Sequence, residues 1–326
     1  MSAPPLPAHG SSTADESSGP SAPPAAASGG RAPQKPPRPW GEWLLAVALL
    51  APNLILLVVF TYRPLLDNIR LSFYNWNISS PRARFIGLGN YREWFTARDT
   101  GIIVWNTVVF TLATVVGSLL LGLLLAFLLD QKLRGRNFVR SLVFAPYVIS
   151  GAAIGVAFQF VFDPNFGLIR DLLQRIGQTV PDFYQNPQWA MVMVTVTYIW
   201  KNIGYTFVIY LAALQGRRIE LDEAAEIDRA SALTKFWRVT LPQLRPTTFF
   251  LSITVLLNSV QVFDIINVMT RGGPVGNGTT TMVFQVYQET FVNSRAGYGA
   301  TVATIMFLVL LAVTLVQVRV MDRKDM

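Results

Sequence analysis

The side chains best suited to chemistry in this chain lie in apolar surroundings. Lys201 falls near the middle of a hydrophobic stretch, where a lysine costs ~2.5–3.5 kcal/mol on membrane-insertion scales. Such a residue faces a bundle interior or a water-filled cavity, where it could contact a sugar hydroxyl or a phosphate. Farther on, Asn258, Gln261, Asp264 and Asn267 recur every three residues. On a helix of 3.6 residues per turn that spacing drifts by about 60° per step, so the four draw a slanted polar stripe. Lys201, Tyr205, Asn258, Gln261 and Asp264 are the candidate lining of a path for hydroxyl-rich cargo. Two other readings stay open: hydrogen bonding between helices, and an ion pair in which Lys201 and Asp264 neutralise one another.

Covalent chemistry has little to work with. There is no cysteine, which excludes disulfides and thiolate metal sites, and the sole histidine, His9, lies in a terminal tail. No lysine follows a glycine, so a G-x-x-x-x-G-K-[ST] phosphate loop is absent, and so is a G-x-S-x-G serine elbow. The sequence therefore predicts no catalytic residues, no metal site and no cofactor on this chain. Any energy input has to come from outside it.

The elements that must position these residues are membrane spans. Of 326 residues, 52% are hydrophobic and 14% charged, and the mean hydropathy is +0.39, far from a soluble globular profile. The net charge of +8 reads as basic loops facing anionic lipid rather than as a nucleic-acid surface. Residues 1–40 hold ten of the twenty prolines among Ala, Ser and Gly, a composition expected to be disordered. They do not read as a signal peptide, because the apolar stretch that follows is of full span length. Six spans follow: Trp43 to Tyr62, Ile102 to Leu129, Leu142 to Phe162, Trp189 to Leu214, Thr247 to Thr270 and Tyr298 to Val318. Each reaches or passes the ~20 residues needed to cross the hydrocarbon. Alternate connections carry sixteen Lys and Arg on one side and ten on the other, which places both termini, including residues 321–326, in the cytoplasm.

One long polar run separates two strong spans, DEAAEIDRASALTKFWRVTLPQLRP from Asp222 to Pro246. Leu221, Ala225, Ile227 and Ala230 fall on or near one helical face, with Asp222, Glu223, Glu226 and Asp228 towards the front. Acidic residues early and Lys235, Arg238 and Arg245 late suit a helix macrodipole. Pro242 and Pro246 are expected to stop the element before the next span. The prediction is one or two short amphipathic helices at a membrane face, too short to stand alone in water.

Glu223, Ala224, Ala225, Asp228, Ala230, Ser231, Phe236, Thr240, Leu241 and Pro242 form a pattern that resembles the coupling loop of binding-protein-dependent ABC importer permeases. Phe85 to Tyr91, Trp200-Lys201, Leu211 to Gln215, Phe263-Asp264 and Thr270 to Pro274 are similar to the carbohydrate-uptake branch, of maltose and glycerol-3-phosphate type. The likeness covers about residues 40 to 320. It implies an all-α integral membrane fold, a six-transmembrane-helix type I ABC importer permease with a cytoplasmic coupling-helix loop at 216–246. It further implies a bacterial inner-membrane location and a second permease subunit, with a heterodimer favoured. A dimer of ATPase subunits holding ATP and Mg, and an extracytoplasmic solute-binding protein, complete the implied partners. The cargo implied is sn-glycerol-3-phosphate, with a sugar such as maltose or trehalose as the alternative. The chain departs from the family pattern at two places: Arg229 stands where it has Gly, and Arg217-Arg218 where it has Ile-Pro. Gly takes positive φ freely and Arg does not, so the bend is expected to be reshaped or the first helix to run on. Readings of other classes are an ion-coupled secondary transporter, which calls for inverted repeats or more membrane carboxylates, and a membrane scaffold.

Overall fold

The computed structural model describes residues 40–322 except 81, 131–134 and 275. The expectations for the N-terminal tail and for the last four residues lie outside the described residues. The chain divides into two units, residues 1–55 and 56–326. Helix α1 (Trp40–Leu57) leads through one turn of π-helix (Val58–Tyr62) to α2 (Arg63–Leu71), and no residue in the most apolar window of Trp43–Leu71 is buried. A two-residue antiparallel ladder joins β1 (Tyr74–Asn75) to β2 (Arg84–Phe85), with Tyr74 opposite Phe85. The rest is helical: α3 (Gly89–Thr96), α4 (Thr100–Leu129), α5 (Arg136–Val148), α6 (Gly151–Val161), α7 (Leu168–Arg175) and α8 (Pro187–Gln215). Then come α9 (Ile219–Ile227), α10 (Ala232–Lys235), α11 (Leu241–Gln243), α12 (Arg245–Val260), α13 (Asp264–Met269), α14 (Met282–Tyr287) and α15 (Ala296–Asp322).

Among the described residues, five helices are long and apolar enough to cross a membrane, and a bent pair brings the number to six where it counts as one span. That pair corrects the expected third span, Leu142 to Phe162. It consists of α5 and α6, which meet at 102°. Pro146 lies inside α5 and cannot donate to the carbonyl one turn back, and Ile149 and Ser150 then leave the helix at ψ 143° and 134°. The expected fifth span is also interrupted, between α12 and α13 at Gln261–Phe263. The polar stripe therefore does not run along one continuous helix. Asn258 belongs to α12 and Asp264 and Asn267 to α13, with Gln261 in the break.

The core is the seam of α4 against α8. The buried residues Thr107, Thr111, Thr114, Ser118, Gly122 and Ala126 lie three or four apart on α4, a stripe of small side chains that lets backbones approach without help from the hydrophobic effect. Thr206 Oγ1 donates across the seam to the Ser118 carbonyl at 2.7 Å. A methyl group added at Gly122 would meet Thr206 Oγ1 at 2.1 Å and the Phe207 amide nitrogen at 3.0 Å, and one at Gly204 would meet the Val143 carbonyl oxygen of α5 at 2.5 Å. Backbone cannot rotate out of the way. At one end of the seam Phe207, Tyr210, Leu211 and Leu214 pack with Leu244 and Leu251. At the other, Phe110, Met193 and Tyr198 pack with Ile265 and Phe284.

Gly122→Val and Gly204→Val should each cost about 1–3 kcal/mol through overpacking. Their recovery as monodisperse protein by size-exclusion chromatography in detergent should fall several-fold. Gly101→Ala, where an added methyl group meets nothing within 4 Å, should leave recovery unchanged.

Candidate functional site

The polar segment between α8 and α12 builds a two-armed loop. The first arm, α9, ends at Asp228 with the Arg229 amide donating to the Glu226 carbonyl and the Ala230 amide to the Ala225 carbonyl, both at 3.0 Å. These are the paired bonds of a Schellman stop, which needs a left-handed residue just past the helix. Arg229 supplies it at φ +52°. The helix does not run on: the hydrogen-bonded stop holds a non-glycine residue in the left-handed region. Ser231 opens the second arm by accepting from the Thr234 amide, an ordinary N-cap. From α10 the chain continues through a π-helical turn (Phe236–Thr240) into α11 and α12. Pro242 and Pro246 sit in the first turns of α11 and α12, where a missing N–H costs nothing. They open helices rather than stop one.

The inward face of α9 also differs from expectation. Asp222 and Ala225, one turn apart, are buried, whereas Ile227 is 82% exposed and Leu221 45%. A charge can sit inside because it is paired. Arg217 Nε donates to Asp222 Oδ2 at 2.7 Å, and its Nη1 donates to Asp130 Oδ2 at 2.8 Å. Lys235 Nζ stands 2.9 Å from Glu226 Oε1 and 3.8 Å from Asp222 Oδ1. Burial works against the Arg217 charge, but Asp222 and Asp130 outweigh it and hold the guanidinium pKa above its ordinary value. Phe236 is half-buried in edge-to-face contact with Phe127 of α4 at 5.5 Å. Glu223, Ala224, Asp228 and Arg229 are exposed, and Leu241 and Pro242 half-buried. Leu233 and Trp237 add exposed apolar surface, 68% and 59%.

The second cluster forms where the two interrupted spans meet α8. Lys201 Nζ donates to the Tyr147 carbonyl in the last turn of α5 at 3.0 Å and stands 5.1 Å from the centre of the Tyr147 ring. Tyr205, one turn along α8, stacks on the same ring at 5.1 Å, and its hydroxyl donates to Thr254 Oγ1 of α12 at 3.3 Å. Asp264 lies against the first residue of α6, since a methyl group at Gly151 would meet its Oδ2 at 1.9 Å. Lys201 and Asp264 form no ion pair within 4 Å among the described residues. The direct pairing expected from sequence is replaced by an indirect one. The ammonium donates to the carbonyl end of α5, while the carboxylate lies close to Gly151 at the start of α6 and accepts from the Ile265 amide in the first turn of α13; each position carries the sign that a helix end favours. The structure thus brings together Lys201, Tyr205 and Tyr147. Asn258 and Gln261 are exposed, and Asn258 takes part through its carbonyl, which accepts from Tyr198 at 2.9 Å.

Residues 118–324 match the family described as binding-protein-dependent transport system inner membrane component. The chain belongs to that family. Among its relatives, the sulfoquinovosyl glycerol transport system permease protein SmoG of Agrobacterium fabrum is 35% identical over 286 residues, 87% of this chain and 92% of that one. The sn-glycerol-3-phosphate transport system permease protein UgpA of the same organism is 33% identical over 285 residues, 86% and 96% of the two chains. In fold, the chain is similar to a bacterial ABC transporter involved in alginate import, with a TM-score of 0.76 at 23% identity over 88% of this chain and 99% of that one. The all-α architecture is that of a type I ABC importer permease.

In this permease, sequence reasoning missed Tyr147, Gly151, Asp130 and the pairing role of Arg217. The first two had a readable signal, Pro146 followed by Ser150-Gly151 inside an apolar run. The ion pairs join residues up to 87 positions apart and leave no local spacing to read.

Releasing the left-handed arginine gives a direct check on the loop. A non-glycine residue in that region costs on the order of 1 kcal/mol, so Arg229→Gly should slow amide hydrogen exchange at 225–231 by roughly fivefold. Arg229→Val, whose branched side chain tolerates that region least, should speed it.

Proposed function

We propose that this chain is the membrane subunit of an ATP-driven, binding-protein-dependent importer, and that a separate ATPase docks on the exposed face of the loop between α8 and α12. The observation that carries the reading is the exposed set Glu223, Ala224, Ile227, Asp228, Leu233 and Trp237 on two short helical arms, the second leading through a single turn residue, Leu244, into α12. Apolar side chains displayed on a rigid element beyond the spans are what a partner surface buries. Ala230, Phe236, Leu241 and Pro242 shape the arms from within. ATP and Mg are held by the partner, and this chain is non-catalytic.

Docking and release of the ATPase drive alternating access. Closure of two ATPase subunits pushes the loop, the helices rock, and a path near the interrupted spans opens alternately to either side. The loop and both termini face the cytoplasm, and a second, distinct permease completes the pathway. A solute-binding protein delivers cargo from the other face. The alginate transporter, solved with a pentasaccharide-bound periplasmic protein, supports that last assignment by likeness of fold.

The cargo favoured is sn-glycerol-3-phosphate, the substrate named for a relative that shares most of the chain length. Lys201 spends one N–H on the Tyr147 carbonyl, and two remain for a phosphate or hydroxyl. The stacked Tyr147–Tyr205 pair favours a second reading, a di- or oligosaccharide such as maltose or trehalose. Asn258 at the end of α12 and Gln261 in the break, both exposed, are proposed as further amide partners for either cargo, and Asp264 as an acceptor for its hydroxyl groups.

Uptake of labelled sn-glycerol-3-phosphate, maltose and trehalose by cells with and without the gene decides the cargo, with Glu223→Lys checked for normal membrane level. Loss of one uptake activity in both the deletion and the variant is expected. Full uptake by the variant would remove the docking mechanism, and uptake of all three solutes unaltered by deletion would remove the cargo assignment.

A further inference from the structure

The backbone that connects α8 to α9 is a poor lever. Gly216, Arg217 and Arg218 lie between the two helices, and Arg218 is extended at φ −72° and ψ 110°. A helix hung on such a joint swings when pushed. The side chains change this. Asp130 is the residue that ends α4, Arg217 follows α8, and Asp222 belongs to α9. One guanidinium joins all three elements, with Nε on Asp222 at 2.7 Å and Nη1 on Asp130 at 2.8 Å.

We propose that Arg217 is a positioning residue, the strut through which displacement of the docking helix α9 reaches the ends of α4 and α8 together. The proposal rests on the docking reading above and adds residues that are not on the docking face. A guanidinium is planar and presents its N–H groups in a fixed fork. With two edges engaged, it cannot pivot about one carboxylate without leaving the other. The side chains are largely withdrawn from water, at 10% exposure for Asp222, 19% for Asp130 and 24% for Arg217. Solvent therefore competes weakly for them. Asp222 Oδ1 is buried and accepts no hydrogen bond, so its charge depends on Arg217 and on Lys235 at 3.8 Å. Lys235 ties α10 to α9 through Glu226, and the Phe127–Phe236 contact secures the second arm to the same end of α4. The loop is thus fastened to α4 on both arms, and force on α9 is delivered along α4 rather than lost in the joint at 216–218.

The absence of cysteine lets this chain be labelled site-specifically before it is assembled with its partners. Spin labels at Glu220→Cys and Leu128→Cys report the α9–α4 distance, and labels at Leu128→Cys and Leu315→Cys report movement of α4 against α15. Pulsed dipolar spectroscopy is done on the transporter assembled with its partner permease and ATPase in nanodiscs, nucleotide-free and after trapping with ATP and vanadate. Unaltered Arg217 and Asp130 should give a narrow α9–α4 distribution and a clear shift of α4 on trapping. Arg217→Met and Asp130→Asn should broaden the first about twofold and cut the second about three- to tenfold, the scale of coupling changes made by residues between sites. Arg217→Lys, which keeps charge but loses the fork, should fall between, and Asp130→Glu should restore both readouts. Asp130→Asn leaves Asp222 paired and should keep a parental thermal midpoint, which a purely structural role would lower. It decides the matter even if Arg217→Met fails to accumulate. A parental width and a parental shift in Asp130→Asn overturn the strut. Glu223→Lys separates the two proposals. If it retains the ATPase and the ATP-driven shift, the docking reading falls. If it loses the ATPase while Asp130→Asn stays parental, only the strut falls.

Discussion

A hydrocarbon interior offers no water to an unpaired peptide group, and the rest of this structure follows from that constraint. Straight helices satisfy it without assistance. The places that call for explanation are the bend of 102° between α5 and α6 and the local break at Gln261–Phe263 within Arg245–Met269. There the freed groups must be met by side chains. Lys201 meets the carbonyl end of α5, and Asp264 lies against the amide end of α6. Each charge stands beside a helix end of opposite sign, and at the end of α5 the charge in turn meets a carbonyl that the bend leaves free. The two costs offset one another.

That mutual dependence also explains why the polar cluster lies where it does. The breaks expose backbone, the backbone attracts charge, and the charge keeps a polar niche among apolar helices. The Tyr147 and Tyr205 rings sit in this niche at 5.1 Å, so hydrophobic faces and hydrogen-bonding groups occur together. Outside the spans, the loop follows a different rule. Water is present, but the short helices there have no core of their own, and they are held by ion pairs to the ends of the spans. The packed seam of α4 and α8 is common to both regions and fixes their separation.

The spans were legible in the sequence, because apolar length is a local quantity. The second span was expected at Ile102 to Leu129 and is found at Thr100–Leu129. The bend between α5 and α6 was missed because hydropathy registers partition, not direction, and a run such as FAPYVISGAAIG is apolar on both sides of a turn. Three-residue spacing in the fifth span was read on an unbroken helix, and the stop at Gln261–Phe263 divided it. Arg229 was judged by intrinsic preference, and two hydrogen bonds around it outweighed that preference. Pro242 and Pro246 were read as terminators, although proline is as well suited to a first helical turn. Arg229 and the two prolines were decided by neighbours within a turn, whereas the placement of Asp222 and Lys201 was decided by partners on other helices.

The exposed Ile227, Leu233 and Trp237 bear on the life of the protein in the cell. On the docking proposed above, this surface is covered only while an ATPase is bound, so mass action links the persistence of the loop to the supply of that partner. A permease made in excess carries an adhesive patch that its own fold cannot hide. Balanced synthesis of the subunits, or prompt removal of the unpaired ones, is then a requirement written into three side chains.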